Sequence, residues 1–255
     1  MNHSFYDEFT GKKIKIGATG LIDNGHSVAF FEDTITSFSD FFSYVKFGWL
    51  TSVVDPSLEK KIKILNSLNI DFCFGGSLIE KSIATSRMDI FDNLIEKYSP
   101  NYIEISNGSI DIDIDSKARL IEKYSQDFIV FSEVGSKVLE VSNRMFPKKW
   151  IEEMKSDLEA GAHKVITEAR EGGNGGICRD GGEIRFGLIE EIKESSIDLE
   201  DIIFEAPNMQ MQTYFINLFG SNVNLANIPF SAILNLYTLR VGYRSETFNI
   251  SHQQE

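Results

Sequence analysis

The chain has 255 residues, of which 42% are hydrophobic, and it carries a formal net charge of −13. This length fits two small domains or one α/β barrel, and the apolar fraction is sufficient for a full core. The acidic charge argues against nucleic acids and anionic membranes as partners, because both require a basic surface. If the substrate is an anion, a few basic groups or a metal ion must form a positive pocket within this acidic protein.

The N-terminal segment and the cysteines indicate the compartment. The start MNHSFYDEF has no apolar stretch behind basic residues, and no apolar run reaches the roughly 18 residues of a membrane span. Cys73 and Cys178 are the two cysteines, and Cys73 lies in the apolar run DFCFGG. We therefore expect no disulfide and a soluble, cytoplasmic protein.

Short apolar segments rich in β-forming residues recur along the chain, and each precedes turn residues and a longer amphipathic segment. The expected strands are residues 20–25, 44–49, 71–76, 102–108, 128–135, 164–170, 202–207 and 223–228. The expected helices are residues 30–42, 56–69, 88–98, 116–124, 148–162, 182–195, 209–219 and 230–242, and Gly161 marks the end of the fifth.

Eight strands that alternate with helices predict a parallel sheet with both faces covered. The simplest such architecture is a single (β/α)8 TIM barrel over residues 1–255, with residues 1–19 as an N-terminal extension. An open, doubly wound sheet is the alternative, and it is less favoured because no G-x-G-x-x-G motif follows the first strand.

Polar residues occupy the ends of six expected strands, where a barrel of this kind carries its chemistry. They are Asp23, Lys46, Glu104, Glu133, Glu168 and Glu205. Side-chain alternation turns the glutamates toward the barrel axis, and four inward carboxylates cannot all ionise without a cation among them. Oxygen ligands suit Mg²⁺, and we expect Glu104, Glu133 and Glu168 to hold it. The alternative is a structural ion network with Lys46, Lys137 and Arg170; scattered histidines make zinc a poor fit.

Several residues near the strand ends are candidates for binding an anionic substrate. Lys46 and Trp49 follow strand two, an amide-rich Gly-Gly turn leads into Ser77, and Arg170 precedes the glycine-rich loop 172–176, which is either a substrate cover or a plain connection. The full substrate-binding set is Lys46, Trp49, Gly76, Ser77, Ser106, Arg170 and Asn224. Asn227 accompanies Asn224 on strand eight, where barrels often bind phosphate.

Seven motifs then carry a resemblance to a known family. KFGWLTS, FGGSLIE, YIEISNGS, SEVGSK, TEAREGG, IFEAPN and NVNLANIPF resemble, in wording and in order, the phosphosulfolactate synthase family. The resemblance runs from about Gly20 to Phe248. The forms IDNG, EISNG and EVGSK look most like the branch found in spore-forming bacteria.

The resemblance implies an activity and a set of roles. Members of this family are (β/α)8 barrels that add sulfite to phosphoenolpyruvate with Mg²⁺ and give (2R)-3-phosphosulfolactate. The lysine that matches Lys137 protonates the carbon that bears the phosphate. The neighbours of Lys137 act on its pKa in opposite directions, since Glu133 raises it while a metal and burial lower it.

This chain also departs from the family. Neutral side chains stand at Asn24, Asn107 and Asn174, where the archaeal branch has lysine, aspartate and lysine. Leu50 replaces a usual glycine and Gly173 a usual serine. These changes bear more on the nucleophile than on the handling of phosphoenolpyruvate.

Two other functions remain as alternatives. A Schiff base on Lys137 or Lys46 would make the protein an aldolase-like barrel enzyme. A non-catalytic role, as in the heat-stress-associated plant branch, is disfavoured because the chain retains Lys137 and the strand-end glutamates. We also expect a homo-oligomer.

Overall fold

Eight parallel strands form a closed barrel in the computed structural model of the protein, which describes residues 14–170, 172 and 175–250. The strands are β1 (Thr19–Asp23), β2 (Tyr44–Phe47), β3 (Asp71–Phe74), β4 (Tyr102–Ser106), β5 (Ile129–Val134), β6 (Lys164–Thr167), β7 (Ile202–Glu205) and β8 (Asn224–Pro229). Each strand pairs with the next, and β8 returns to β1, which closes the barrel. The predicted (β/α)8 barrel is confirmed, and closure excludes the open sheet.

Helices follow the strands on the outside of the barrel. They are α1 (Val28–Phe38), α2 (Thr51–Val54), α3 (Leu58–Ser67), α4 (Ser77–Ala84), α5 (Met88–Tyr98), α6 (Ile114–Tyr124), α7 (Leu139–Arg144), α8 (Pro147–Glu159), α9 (Phe186–Lys193), α10 (Met209–Phe219) and α11 (Ile233–Arg240). Side chains of Ser27, Asp113 and Asn208 cap the N-termini of α1, α6 and α10. The eight expected helices are confirmed within a few residues, while the three further helices α2, α4 and α7 were not among them.

The barrel interior contains two layers of different chemistry. The lower layer is an apolar cluster made of Tyr44, Cys73, Phe131, Ile166, Ile203 and Ala226, with Tyr102 packed against it. Residues two positions later on five of these strands are Lys46, Glu104, Glu133, Glu168 and Glu205. Since alternate residues of a strand share a face, an apolar plug supports a layer of buried charges directly above it.

A second and larger apolar core lies between the barrel and the helices, where Leu21, Val45, Phe204 and Leu225 of the strands meet helix residues such as Trp150. Asp23 belongs to this outer face, because its carboxylate lies 2.6 Å from the buried Lys61 ammonium of α3. Among the described residues, no helix is long and apolar enough to span a membrane.

The lower end of the barrel is closed by hydrogen bonds to backbone groups. The Arg240 guanidinium is buried and donates to the carbonyl oxygens of Ser221 (2.6 Å) and Val223 (2.7 Å). Asn224 accepts from the amide of Ala18 at 2.9 Å and donates to the carbonyl of Ile202 at 3.1 Å. Residues 14–18 of the expected extension therefore pack at this end, while residues 1–13 lie outside the described part of the chain.

Candidate active site

A cavity of about 750 Å³ opens at the carboxyl ends of the strands. Its floor contains side chains of the charged layer, Lys46, Glu104, Glu133, Glu168 and Glu205, and its rim comes from the loops that follow the strands. Cavities of this size accommodate small metabolites, and this end of a (β/α)8 barrel is where such enzymes bind their substrates.

Lys137 extends over the charged layer from the loop after β5. Its ammonium nitrogen lies 2.9 Å from a carboxylate oxygen of Glu133, 3.2 Å from Glu168 and 3.5 Å from Glu80. The three carboxylates are buried, while the lysine side chain keeps 26% of its surface exposed to the cavity. The structure thus brings Lys137, Glu133 and Glu168 together as expected, with Lys137 on the side open to a ligand.

Gly135 makes this arrangement possible, because its backbone has a φ of +127° that side-chain-bearing residues rarely adopt. A β-carbon at Gly135 would also lie 2.6 Å from the Trp150 ring and 2.7 Å from the β-carbon of Glu168. The turn in SEVGSK therefore requires glycine both for its conformation and for its close approach to β6. As a result, Lys137 folds back onto Glu133.

Lys46 is the second buried cation of the site. Its ammonium lies 3.0 Å from Glu205 and 3.2 Å from Glu104. Burial disfavours its charge, but the surrounding carboxylates raise the pKa of Lys46 well above its usual value. Lys46 is therefore a permanent positive charge of the floor, already engaged by two carboxylates.

Five carboxylates and two ammonium groups lie close together at the floor of the cavity. Burial and their mutual interactions shift their pKa values in different directions. Burial raises the pKa of Glu168 well above its usual value, and the charges of Glu133 and Glu205 raise it further. Burial also raises the pKa of Glu205, to about 7. Burial opposes the charge of Glu133 as well, but Lys137 and its other neighbours lower the pKa of this carboxylate. The layer therefore holds protons that an added cation would displace.

Two opposing effects act on the pKa of Lys137, and the stronger one raises it. Burial disfavours the ammonium form, but the charges of the three surrounding carboxylates outweigh burial and raise the pKa above its usual value. In the absence of a bound cation, Lys137 is therefore protonated throughout the physiological range. It is in the form that a proton donor needs.

Glu80 was not expected as a member of the site. It lies on α4, is buried, and accepts a hydrogen bond of 2.5 Å from the Ser106 hydroxyl. A signal was present in FGGSLIE, because a glutamate in the first turns of a helix that starts at a strand end points toward the barrel mouth. The motif alone does not show that Glu80 lies on a helix or that its side chain is buried.

Gly76 and Ser106 both donate hydrogen bonds to carboxylates of the site. The amide of Gly76 donates to Glu104 at 2.6 Å, and the Ser106 hydroxyl is fully buried against Glu80. A β-carbon at Gly76 would collide with the Ser106 side chain. Gly76 still lines the cavity, as expected of a residue near the substrate, whereas Ser106 does not line it and its hydroxyl is engaged by Glu80.

The other expected substrate contacts are divided between the two ends of the barrel. Trp49, Ser77 and Arg170 line the cavity, and within the described residues the Arg170 guanidinium has no carboxylate partner. Asn224 does not line the cavity, because it is the first residue of β8 and its amide is engaged at the lower end. Asn227, at the upper end of the same strand, lines the cavity instead.

The carboxylate set fits a divalent cation. Oxygen atoms of Glu133, Glu168 and Glu205 all lie within 4.8 Å of one another, and the three residues are buried. Oε2 of Glu168 is buried and accepts no hydrogen bond, although it lies 3.2 Å from the Lys137 ammonium. Buried acids with incomplete partners and oxygen-only donors are typical of Mg²⁺ or Mn²⁺ sites.

The convergent carboxylate set differs from the expected metal ligands at a single position. Glu205 takes the place of Glu104 because its oxygen lies within 4.8 Å of those of Glu133 and Glu168, although the Lys46 ammonium and the Ala169 amide also engage Glu205. Sequence alternation turned all four glutamates inward but could not determine which three converge, because convergence depends on barrel stagger and on the position of Lys46.

A buried polar cluster supports β5 from outside the barrel. The Lys117 ammonium of α6 donates to the backbone carbonyl of Glu133 at 2.7 Å and to Asp157 at 2.8 Å. Asp157 of α8 also accepts from the Ser132 hydroxyl at 2.7 Å. Two helices are thereby attached to the strand segment that carries Glu133, which fixes the height of that carboxylate in the barrel.

These features define a class of protein. A (β/α)8 barrel whose cavity holds a convergent carboxylate set, a protonated lysine above it and further basic groups at the rim has the components of an enzyme that acts on small anions.

Comparison with known proteins then identifies the family. The family model for (2R)-phospho-3-sulfolactate synthase (ComA) matches residues 7–246. The phosphosulfolactate synthase of Bacillus subtilis is 46% identical over 239 residues, covering 94% of this chain and 95% of that protein. The phosphosulfolactate synthase of Methanocaldococcus jannaschii is 36% identical over 245 residues, covering 94% and 97%. The chain belongs to the phosphosulfolactate synthase family, which is a family of lyase-type enzymes.

The higher identity to the Bacillus protein agrees with the expected spore-former branch. Among solved structures, a truncated 3-deoxy-D-arabino-heptulosonate 7-phosphate synthase from Thermotoga maritima superposes with a TM-score of 0.55 at 10% identity, covering 90% of this chain and 91% of that one. At this identity the likeness concerns the barrel fold alone.

Proposed function

We propose that this protein catalyses the Mg²⁺-dependent addition of sulfite to phosphoenolpyruvate, which gives (2R)-3-phosphosulfolactate. The observation that carries this proposal is the position of Lys137, protonated and 2.9 to 3.5 Å from three buried carboxylates, two of which belong to the candidate metal set. Family membership supplies the reaction class, and this geometry supplies the groups that it needs.

The chemistry explains why these groups are needed. The sulfur lone pair of sulfite forms a bond to the methylene carbon of phosphoenolpyruvate, and the π electrons of the double bond move toward the carboxylate. The carbon that bears the phosphate then takes up one proton, which gives the sulfonate product. Charge that accumulates on the carboxylate oxygens must be stabilised, and a divalent cation bound by Glu133, Glu168 and Glu205 supplies positive charge there.

Lys137 is the group that we assign to proton delivery. It lies beside the carboxylates yet faces the cavity, so its ammonium is accessible to a substrate carbon above the floor. Positive charge brought into the carboxylate set weakens the hold of those acids on Lys137 and lowers its pKa toward that of a useful acid. Delivery from one fixed side of the substrate accounts for a single configuration of the product.

The rim residues bind the rest of the substrate in this account. Lys46 contributes a permanent positive charge beneath the cavity, and the Arg170 guanidinium, which has no carboxylate partner in the described part of the chain, offers a second at its mouth. Trp49 is 54% exposed and stands at the opening with a left-handed backbone (φ +51°), which is an uncommon conformation for a residue other than glycine. We infer that its indole covers the bound substrate.

The Schiff-base alternative is disfavoured by the charges of both candidate lysines. A lysine that attacks a carbonyl must be neutral, which enzymes arrange by lowering its pKa. The carboxylates around Lys46 and Lys137 raise both pKa values instead. These surroundings suit a proton donor and a positively charged binding group better than a nucleophile.

The proposal is tested by incubating the purified protein with phosphoenolpyruvate, sulfite and Mg²⁺ and detecting a sulfonated, phosphorylated adduct by mass spectrometry. Omitting each component in turn, and adding EDTA, supplies the controls. We expect product only in the complete mixture, with recovery on addition of Mg²⁺ or Mn²⁺ after EDTA. Full turnover in chelator would contradict the role of the metal, and absence of any adduct would contradict the reaction.

We also predict the compartment and the oligomeric state of the protein. Cys73 and Cys178 are both free and buried, in agreement with a cytoplasmic location, where disulfides are rare. The expected homo-oligomer is checked by size-exclusion chromatography coupled to light scattering. A monomer at micromolar concentration would contradict it.

A further inference from the structure

His26 lies at the rim of the cavity, in the loop after β1, and its ring is held by Asp23. Nδ1 of His26 is 3.0 Å from Oδ1 of Asp23, and the same oxygen accepts from the backbone amides of Gly25 (3.1 Å) and His26 (2.9 Å). Asp23 is fully buried, and the Lys61 ammonium lies 2.6 Å from its other oxygen. The Lys61 ammonium is shared with Asp55, at 2.7 Å, so the imidazole is oriented by a buried carboxylate that an ion-pair network holds in place.

Aromatic packing further restricts the ring. Its centroid is 4.8 Å from that of Phe230, nearly parallel to it, and 4.9 Å from that of Phe30. With Nδ1 engaged by Asp23, Nε2 is the ring nitrogen that has no partner within the described residues. Since the ring lines the cavity, this nitrogen is the one that is left for a ligand.

The neighbourhood of His26 is incomplete in its hydrogen bonding. Phe230 and Ser231 line the cavity next to it and begin a helical segment, a 3₁₀ turn over Phe230–Ala232 followed by α11. The first amides of such a segment have no acceptor within the helix and favour an anion.

The distribution of charge within the cavity also favours anion binding near His26. The ammonium groups of Lys46 and Lys137 are already paired with carboxylates of the floor, so those acids balance much of their positive charge. His26 stacks on Phe230, which begins the helical segment after the last strand, where (β/α)8 barrels commonly bind phosphate groups. A phosphate dianion only accepts hydrogen bonds, so Nε2 would bind it by donating an N–H.

We propose that His26, held by Asp23, binds the phosphate group of the substrate through Nε2, in a subsite completed by the helix start at Phe230–Ala232. The inference rests on the proposed function only in taking phosphoenolpyruvate as the phosphorylated substrate. It assigns to His26 a binding role, and it places the phosphate on the β8–β1 side of the cavity, with the reacting carbons over the carboxylates.

Two substitutions separate the two ring nitrogens. His26→Asn places an amide nitrogen near the position of Nδ1 and keeps the contact with Asp23, but it removes the group that faces the ligand. His26→Gln reaches the position of Nε2 and keeps a donor there. Binding of phosphoenolpyruvate and of inorganic phosphate to the full chain is measured by isothermal titration calorimetry, with thermal unfolding as a check of the fold.

We expect His26→Asn to raise the dissociation constants of both probes by about 10- to 100-fold, the effect of losing one charge-assisted hydrogen bond. His26→Gln should retain a clear part of the affinity, and the KM for sulfite should stay within about twofold in both variants. Unchanged phosphoenolpyruvate affinity in a folded His26→Asn protein would overturn the inference. Equal losses in the Asn and Gln variants would also overturn it, since Nε2 would then have no particular role.

The outcome is separable from that of the proposed function. If the wild type forms the sulfonated adduct while His26→Asn binds phosphoenolpyruvate normally, the reaction stands and the subsite is wrong. If the wild type forms no adduct while phosphate binding depends on His26, the subsite stands and the reaction is wrong.

Discussion

The ammonium nitrogen of Lys137 lies 2.9 Å from Oε1 of Glu133, four residues earlier in the chain. The two residues are joined by a turn at Gly135, and the Lys137 amide donates to the carbonyl of Gly108 at 2.9 Å, which holds the turn in place. A glutamate at the end of a buried strand and a lysine in the following loop thus form a single unit, in which the acid faces the barrel axis and the lysine faces the cavity.

This unit leads to a prediction about the proton donor. Lys137→Ala should lower kcat by about 10²- to 10⁴-fold, the usual range for a lost general acid. Phosphoenolpyruvate affinity should change little, because the other basic groups of the cavity remain. Residual product should lose its single configuration, because water then reaches both faces of the carbon. Chiral chromatography of the product and steady-state kinetics are the measurements.

Lys60→Ala provides the control for that experiment, because Lys60 is an exposed lysine on α3, outside the cavity. Its kinetics should match the wild type. Turnover of Lys137→Ala within a few-fold of the wild type would make Lys137 a loop lysine and leave Lys46 as the candidate acid.

A second prediction distinguishes the metal ligands from their neighbour. Glu168→Gln and Glu205→Gln should each weaken Mn²⁺ binding by about 10- to 100-fold, since each removes a charged ligand but keeps the volume. Glu104→Gln should leave Mn²⁺ affinity within a few-fold, because Glu104 lies outside the convergent set of Glu133, Glu168 and Glu205. Electron paramagnetic resonance of free Mn²⁺ measures all three, and it requires no turnover. A larger loss in Glu104→Gln than in Glu205→Gln would restore the set expected from sequence.

A third prediction concerns the stability of the metal-free protein. Burial raises the pKa of Glu205 from 4.5 to about 7, so the folded protein holds this proton more tightly than the unfolded chain does. The resulting stabilisation is fully present below about pH 4.5 and is lost as the pH rises through 7, a difference of roughly 3 kcal/mol at most. Urea unfolding in EDTA should therefore show stability falling between pH 5 and pH 8.

The matched variant for this measurement is Glu205→Gln, which has no proton to lose and should show a smaller decline over the same range. Mg²⁺ should reverse the trend in the wild type, because a cation binds the ionised form. Identical pH dependence in the two proteins would contradict the assignment of this titration to Glu205.

A fourth prediction concerns the lower end of the barrel, where Arg240 lies. Arg240→Met should lower the free energy of unfolding by about 2–4 kcal/mol, because the carbonyl oxygens of Ser221 and Val223 lose their buried donor. Arg244→Met, on the partly exposed Arg244 near it in sequence, should change stability by less than about 0.5 kcal/mol. Equal effects in denaturant unfolding would show that Arg240 has no special structural role.

A fifth prediction addresses the Schiff-base alternative. Borohydride treatment in the presence of a keto substrate should leave Lys46 and Lys137 unmodified, since both pKa values are raised and neither amine is free to attack. Mass mapping of tryptic peptides makes the measurement. A reduced adduct on either lysine would favour the aldolase-like alternative.

Much of this architecture follows from patterns in the sequence. Alternation placed Glu104, Glu133, Glu168 and Glu205 toward the barrel axis because a strand has a fixed period of two, and closure then brought their strand ends together. The family motifs placed Lys137 beside them. These predictions depend on local geometry and on the fold class, both of which a sequence specifies strongly.

Other features depended on contacts between distant segments. Asn224 and Asn227 are three residues apart, yet Asn224 lies at the lower end of the barrel and Asn227 lines the cavity, because β8 runs upward between them. Glu80 joined the site through a helix, and Gly76 proved to donate to Glu104, because those relations are fixed by packing across neighbouring strands. His26 carried no motif at all; its significance arises from the buried Asp23 and Lys61 behind it.

The most direct test of the central claim follows the reacting carbon itself. Phosphoenolpyruvate labelled with ¹³C at the methylene position is incubated with the protein, sulfite and Mg²⁺ in D₂O, and the carbon is observed by NMR. The account predicts that the alkene signal is replaced by that of a saturated carbon bonded to sulfur, next to a carbon that carries one deuterium. An alkene signal that persists unchanged while the protein is folded and supplied with Mg²⁺ would contradict the account.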